Sequence, residues 1–200
     1  MLNYKNRFIL IISALIFSLS CSDDPTSSTN MTHETGTFTD IDGNAYQTIK
    51  IGNQWWMAEN WKTTHATDGL ILTGIFAYND NENNVGEYGR LYTWQAALDA
   101  EPEGWHLPST EEWNILEASL GSDAGAKLKV DGNSGFSAKL GGSRNYDGGY
   151  AGIDYWGMYW TSTVYTNDHS YIINLFSDRP DIVQSGLGII AAISVRYVKD

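Results

Sequence analysis

One thiol, one dense run of carboxylates and amides, and one aromatic loop are where this 200-residue chain carries groups capable of chemistry. The thiol is Cys21, the single cysteine. Ahead of it stand Lys5 and Arg7, then an apolar run over residues 8–19 that closes on Leu19-Ser20-Cys21. That is the layout of a secretory signal ending in a bacterial lipobox. In such a signal the thiol takes a diacylglyceryl thioether, cleavage frees the Cys21 amine, and the amine is acylated in turn. Two or three acyl chains, at ~0.8 kcal/mol per buried methylene, hold a protein on a bilayer where one chain would not. The competing reading, a membrane-spanning helix, needs about 20 apolar residues; the run is 12 residues long.

The oxygen-rich run is Asp80-Asn81-Glu82-Asn83-Asn84, with Glu87 behind it. Its donor density is that of a Ca2+ site, which makes Asp80, Glu82 and Asn84 candidate metal ligands. The spacing is not that of an EF-hand, because glycine comes at Gly86 and Leu91 stands where a terminal glutamate belongs. A solvated turn is the plainer reading. The four histidines are scattered and show no metal-ligand spacing. His106, just ahead of a helix signal, reads as a structural histidine hydrogen-bonded near the helix start. Ser109 is accounted for as a helix cap, Ser162 lacks the Gly-x-Ser-x-Gly setting of a nucleophile, and Arg196 in an alternating stretch reads as a buried ion-pair partner.

The aromatic loop runs from Arg144 to Trp156. It concentrates Tyr146, Tyr150, Tyr155 and Trp156 beside Asn145, Asp147 and Asp154. Exposed aromatic rings next to amides and carboxylates can stack on sugar rings and hydrogen-bond their hydroxyls, so these seven residues are the candidate ligand-binding set. The same residues would equally pack the glycine-rich turns of an irregular β domain.

Composition narrows the classes. With residues 1–20 removed, Lys5 and Arg7 go with them, leaving 10 basic and 24 acidic residues and a formal charge of −14. Phosphate-backbone binding needs clustered Lys and Arg, so nucleic acid is not an expected partner. With Cys21 lipidated, the folded part has no thiol for disulfides, thiolate catalysis or cysteine-metal sites. Packing must then come from eight Trp, twelve Tyr and six Phe, set among twenty glycines, the mark of a loop-rich β-containing domain.

The elements that must position these groups follow from local signals. Residues 1–20 read as a signal peptide, 21–35 as the lipidated cysteine and a flexible polar tether, and 36–200 as one folded domain. Residues 37–41 and 45–51 read as a hairpin around Asp42-Gly43-Asn44. After Gly52-Asn53 comes a strand in which Trp55 and Trp56 must face opposite sides. A short helix is expected over residues 92–100. A second should start at Ser109, where Ser109 and Glu112 form a capping box, bury Trp113, Leu116 and Leu120, and stop at Gly121. Residues 171–176 and 193–198 read as the clearest strands.

These landmarks recur in a known order: Asp40-Ile41-Asp42-Gly43-Asn44-Ala45-Tyr46; Ile51-Gly52-Asn53-Gln54-Trp55-Trp56-Met57-Ala58-Glu59-Asn60; Tyr88-Gly89-Arg90-Leu91-Tyr92-Thr93-Trp94; Gly104-Trp105-His106-Leu107-Pro108-Ser109; Tyr159-Trp160-Thr161-Ser162-Thr163; and Ser194-Val195-Arg196-Tyr197-Val198-Lys199-Asp200. The chain closely resembles the Fibrobacter succinogenes major paralogous domain family from about residue 38 to 200. The resemblance implies an α+β, C-type-lectin-like fold related to formylglycine-generating domains. Its terminal strands pair, two helices flank them, and a long irregular region carries the ligand surface. It also implies a secreted or surface lipoprotein without established catalysis. Relatives often carry cysteines where Ala77, Val85 and Tyr197 stand here, so the acidic loop lacks a closing bridge and formylglycine chemistry lacks its thiols. Asp23-Asp24 behind Ser22 resembles the signal that exports lipoproteins of Bacteroidetes-type bacteria to the cell surface.

The expectation is therefore an outer-membrane lipoprotein, palmitoylated at Cys21 and displayed at the surface. It would act as a non-catalytic binding or adhesion module for a glycan or surface protein. A structural envelope lipoprotein without a small ligand is the alternative, and an enzyme is the remotest reading.

Overall fold

The computed structural model describes residues 33–200. Cys21, the signal and most of the tether lie outside the described residues. The first strand, β1 (Thr35–Thr39), starts inside the stretch expected as tether. The reason is local: the Lys50 amide donates to the Glu34 carbonyl at 2.8 Å, and the Lys50 ammonium pairs with the Glu34 carboxylate at 2.8 Å.

Along the chain follow β2 (Ala45–Ile51), β3 (Gln54–Met57), β4 (Ile75–Phe76), the short α1 (Val85–Tyr88), β5 (Leu91–Tyr92) and α2 (Trp94–Asp99). Next come β6 (Trp105–His106), α3 (Thr110–Leu120), α4 (Ala124–Leu128), β7 (Gly141–Arg144) and β8 (Tyr150–Ile153). The last are β9 (Trp156–Thr166), β10 (His169–Phe176), β11 (Val183–Gly188), β12 (Ala192–Ile193) and β13 (Val198–Lys199). One sheet has the order β1-β2-β3-β13-β6; the other runs β11-β10-β9-β7-β12-β5-β4, with β8 added on β7. Sheets with a few short helices make this an α+β protein.

Turn chemistry explains the first hairpin. Asp40 accepts the Asn44 amide and the Asn44 side chain, each at 2.8 Å, and the buried Tyr46 hydroxyl at 2.7 Å. Gly43 takes the left-handed φ of +82° that the turn needs. Trp55 and Trp56 divide as strand alternation requires. Trp56 is fully buried against Trp113 at 4.9 Å, while Trp55 is half-buried against a second core cluster. The capping box at Ser109 and Glu112 is present, Trp113, Leu116 and Leu120 are buried, and Gly121 ends α3.

One expectation is corrected. Residues 193–198 do not form a single strand. Ile193 pairs with Ser143 and Tyr92 in one sheet, whereas Val198 pairs with Trp56 and His106 in the other. Between them the chain crosses from sheet to sheet. Its carbonyls there serve residues 57–61: Val195 O accepts the Trp61 amide at 2.9 Å and Tyr197 O the Met57 amide at 3.0 Å. Backbone groups so satisfied need no ladder. The core is aromatic on both sides of this crossing, with Trp56, Trp113, Phe136 and Tyr159 in one cluster and Tyr46, Trp61, Trp160 and Tyr197 in the other.

Candidate functional site

The crossing segment carries Arg196, which is fully buried. Its Nε donates to Asn60 Oδ1 at 2.9 Å, Nη1 to Met57 O at 3.2 Å and to Phe136 O, and Nη2 to Ser137 O at 2.9 Å; the guanidinium lies 4.4 Å over the Phe136 ring. The ion pair expected for Arg196 is thus replaced by carbonyl dipoles and one amide. Burial pulls its pKa down to about 10, opposed by Tyr159 and Glu59, so it stays a cation at neutral pH. Carbonyls solvate the fork without a second buried ion to desolvate. Asn60 completes the lock: its Nδ2 donates to Tyr88 O at 2.8 Å, Lys139 O at 3.2 Å and Ser194 Oγ at 3.3 Å. Asn60 was not singled out from sequence. The available signal was an amide set between Glu59 and Trp61 just past the Trp55-Trp56-Met57-Ala58 run, with a buried arginine elsewhere in need of an acceptor.

His106 closes β6 just ahead of the α3 cap, held on both ring nitrogens. Glu112 Oε1 lies 2.7 Å from Nε2, and Asp200 Oδ1 lies 2.6 Å from Nδ1. Burial alone would lower its pKa, but hydrogen bonds and charge from the two carboxylates outweigh this and raise it. The imidazole clasps the C-terminal strand to the cap of α3, since Glu112 also accepts the Ser109 amide at 2.7 Å.

The proposed calcium ligands do not converge. Glu82 is taken by Arg90 through two bonds of 2.6 and 3.0 Å. Asp80 accepts the Tyr150 hydroxyl at 2.5 Å, and the Asn84 side chain donates to Tyr78 O at 2.9 Å. Among the described residues no group of three or more His, Cys, Asp or Glu side chains could hold a metal ion. Glu82, Asp80 and Asn84 are each bonded to a different neighbour, and these polar bonds tie the loop down.

The seven aromatic-loop candidates form a β-hairpin, which the structure divides into a tip and a base. β7 and β8 pair from Gly141↔Ile153 to Arg144↔Tyr150. Beyond them the turn closes through the Asn145 amide on Gly149 O at 2.7 Å and the Gly149 amide on Asp147 Oδ1 at 3.0 Å. Tyr146, at the tip, is 80% exposed. Tyr150 is half-buried, its ring 5.4 Å from that of Tyr78. At the base, Tyr155 is 48% exposed and donates to Asp178 Oδ2 at 3.3 Å. Trp156 is half-buried and lies on Gly152, where a Cβ would stand 1.9 Å from the indole and φ is +80°, so only glycine fits. Asp154, at a φ of +62°, accepts the Tyr88 hydroxyl at 2.8 Å. That hydrogen bond first, then burial, pushes the Tyr88 pKa up to about 12, which keeps it a phenol.

Tyr88 and Asp154 open into a cleft of about 550 Å3, walled also by Lys129, Leu140 and the Lys139–Glu87 pair, whose charged atoms stand 3.1 Å apart. Its size falls within the range of about 300–1,000 Å3 usual for ligand sites. The Lys129 ammonium is spent on the carbonyls of Phe176 at 2.7 Å and Arg179 at 2.9 Å, and Tyr88, Asp154, Lys139, Glu87 and Asp131 supply the other polar side chains of the lining. Of the sequence candidates, Asp154 lines this cleft and Tyr155 adjoins it; Asn145, Tyr146 and Asp147 stand at the other end of the hairpin. Tyr88 and Lys139 were not foreseen, because they reach the cleft from segments distant in sequence.

No curated protein and no solved structure matches the chain. The family model described as the Fibrobacter succinogenes major domain matches residues 49–199, from within β2 to β13. That span holds both ends of the Asn60–Arg196 lock, His106 with Glu112, the hairpin and the cleft at its base, and the chain belongs to the Fibrobacter succinogenes major domain family.

Proposed function

We propose that this protein is a lipid-anchored, surface-displayed binding module of C-type-lectin-like fold, without catalysis, that holds a glycan or protein ligand on the face built by the 141–156 hairpin. One observation carries the reading. The hairpin turns Tyr146 and Tyr155 outward, and its base opens into the cleft lined by Tyr88, Lys139 and Asp154. Aromatic faces beside a few oriented polar groups suit sugar rings and amphipathic side chains. Pairing of the C-terminal β13 with β3 and the long stretch of short elements between α3 and β9 support the lectin-like reading. His106 has both nitrogens engaged by carboxylates and Ser109 caps α3, which argues against either as base or nucleophile. The lipobox at Cys21 and Asp23-Asp24 behind it support anchoring and display.

The test is a glycan array and a pull-down from neighbouring-cell surfaces, repeated with Tyr155→Ala, Asp154→Asn and Tyr146→Ala. Tyr146 and Tyr155 are exposed and Asp154→Asn keeps the side-chain shape, whereas Tyr150 and Trp156 are packed. A ligand held here should lose about 2 kcal/mol on truncation of a hot-spot ring. Unchanged binding by all three folded variants would place the site elsewhere. For the anchor, radiolabelled palmitate should enter the wild type and not Cys21→Ala; equal labelling would sink it.

A further inference from the structure

Four arginines lie among the described residues, and three have hydrogen-bonded partners: Arg90 with Glu82, Arg179 with Asp181, and Arg196 with Asn60 and three carbonyls. Arg144 is held differently, with the Tyr150 hydroxyl as its polar neighbour and no charged partner among the described residues. Its guanidinium lies 4.0 Å over the Phe76 ring and 5.8 Å from the Tyr150 ring. Its Nε is buried without a partner, and no ion pair reaches it among the described residues. The Tyr150 hydroxyl beside it donates to Asp80 Oδ1, and Asp147 is occupied by the Gly149 amide, so the nearby carboxylates are committed elsewhere.

An unmatched guanidinium in a strongly acidic chain calls for a physical cause. Stacking on Phe76 fixes the plane of the fork and removes it from random rotation, as cation–π seating does. A fixed planar fork is shaped for two parallel bonds to a carboxylate. Directly beyond it stands the turn at residues 145–149, whose Tyr146 ring is the most exposed large side chain of the hairpin. The tip offers one exposed ring, one amide at Asn145 and one fork without a charged partner. Ring, amide and fork together match the face, hydroxyls and carboxylate of an acidic sugar.

We infer that the hairpin tip is a subsite for a carboxylated sugar, a hexuronic or nonulosonic acid, with Arg144 pairing the carboxylate and Tyr146 stacking on the ring. This rests on the glycan branch of the proposed function and names its ligand class. The subsite lies at the end of the hairpin away from the cleft, so a glycan chain that fills both is read at two points.

The experiment uses the lipid-free chain from Ser22 onward together with the acylated full chain. Each is titrated with tetragalacturonate, with its methyl ester, and with a sialylated trisaccharide and its carboxyl-reduced form. The acids should bind at least about tenfold more tightly than their neutral counterparts, and added salt should weaken the acids alone. Arg144→Gln should erase that preference, Arg144→Lys should restore part of it, and Tyr146→Ala should weaken acid and ester together. The acid-against-ester comparison on wild type needs no variant, so a destabilised Arg144→Gln cannot obscure the result. Equal affinity for acid and ester, or no binding of any acid at millimolar concentration, overturns the inference. Neutral glycan binding that is lost in Asp154→Asn would keep the binding-module reading while removing this subsite. Arg144-dependent capture of an aspartate-rich peptide with no acidic sugar bound overturns the inference in favour of a protein ligand.

Discussion

Arg196 and Arg144 occupy the same kind of seat and lead opposite lives. Each guanidinium lies over a phenylalanine ring, at 4.4 Å on Phe136 and 4.0 Å on Phe76. Around Arg196 the chain has brought four acceptors from two separate segments, residues 57–60 and 136–137, and the side chain is wholly buried. Around Arg144 it has brought rings and the Tyr150 hydroxyl but no carboxylate, and the side chain is only half-buried. A filled fork holds the fold together, because its bonds tie two distant segments to the crossing. An empty fork holds nothing together, and its orientation is kept for something outside the chain. The difference teaches that cation–π seating orients an arginine, while the hydrogen-bond shell decides whether it serves stability or recognition.

The sharpest way to break this contrast is to remove the filled fork. Arg196→Met leaves Asn60 Oδ1 and three carbonyls without their donor. At about 1–3 kcal/mol for each buried unsatisfied group, only partly additive, the loss should reach roughly 3–5 kcal/mol. Chemical denaturation reads it, and a loss below about 1 kcal/mol would refute the lock. Asn60→Ala should cost less, about 2–3 kcal/mol, because Arg196 keeps its carbonyls. The two should be non-additive, since they share one network. At the empty fork, Arg144→Gln forfeits only stacking, about 1 kcal/mol or less, and a loss as large as that of Arg196→Met would erase the distinction.

The His106 clasp sharpens the comparison from a third side, since its two acceptors are carboxylates. Its folded pKa is raised. The stabilisation is therefore complete below the ordinary histidine value of about 6.5 and is lost as pH rises through the folded pKa. Between about pH 6 and pH 8.5 the wild type should lose more melting temperature than His106→Gln; parallel curves would remove the clasp. The partners are part-exposed, so the effect is modest. The smallest effect is expected at the tip: Tyr146→Ala should leave stability within about 0.5 kcal/mol, which makes it the cleanest probe of binding.

Signals that act between near neighbours were legible in the residues alone. The Asp42-Gly43-Asn44 turn, the Ser109–Glu112 capping box, the burial of Trp113, Leu116 and Leu120, and the opposed faces of Trp55 and Trp56 all depend on groups a few positions apart. Local geometry permits few ways to satisfy those groups. The aromatic loop was legible as a concentration of rings, but not as a hairpin with two separate ends. What tertiary structure alone decided lies in long-range pairs. Arg196 meets its acceptors 136, 139, 60 and 59 positions away, and Tyr88 meets Asp154 across 66. An arginine in an alternating stretch reads the same whether a carboxylate, a carbonyl or open solvent awaits it. Only the packing of the two sheets chose carbonyls for Arg196 and left Arg144 unpaired, because the shell around a buried charge is assembled by whichever segments the core brings together.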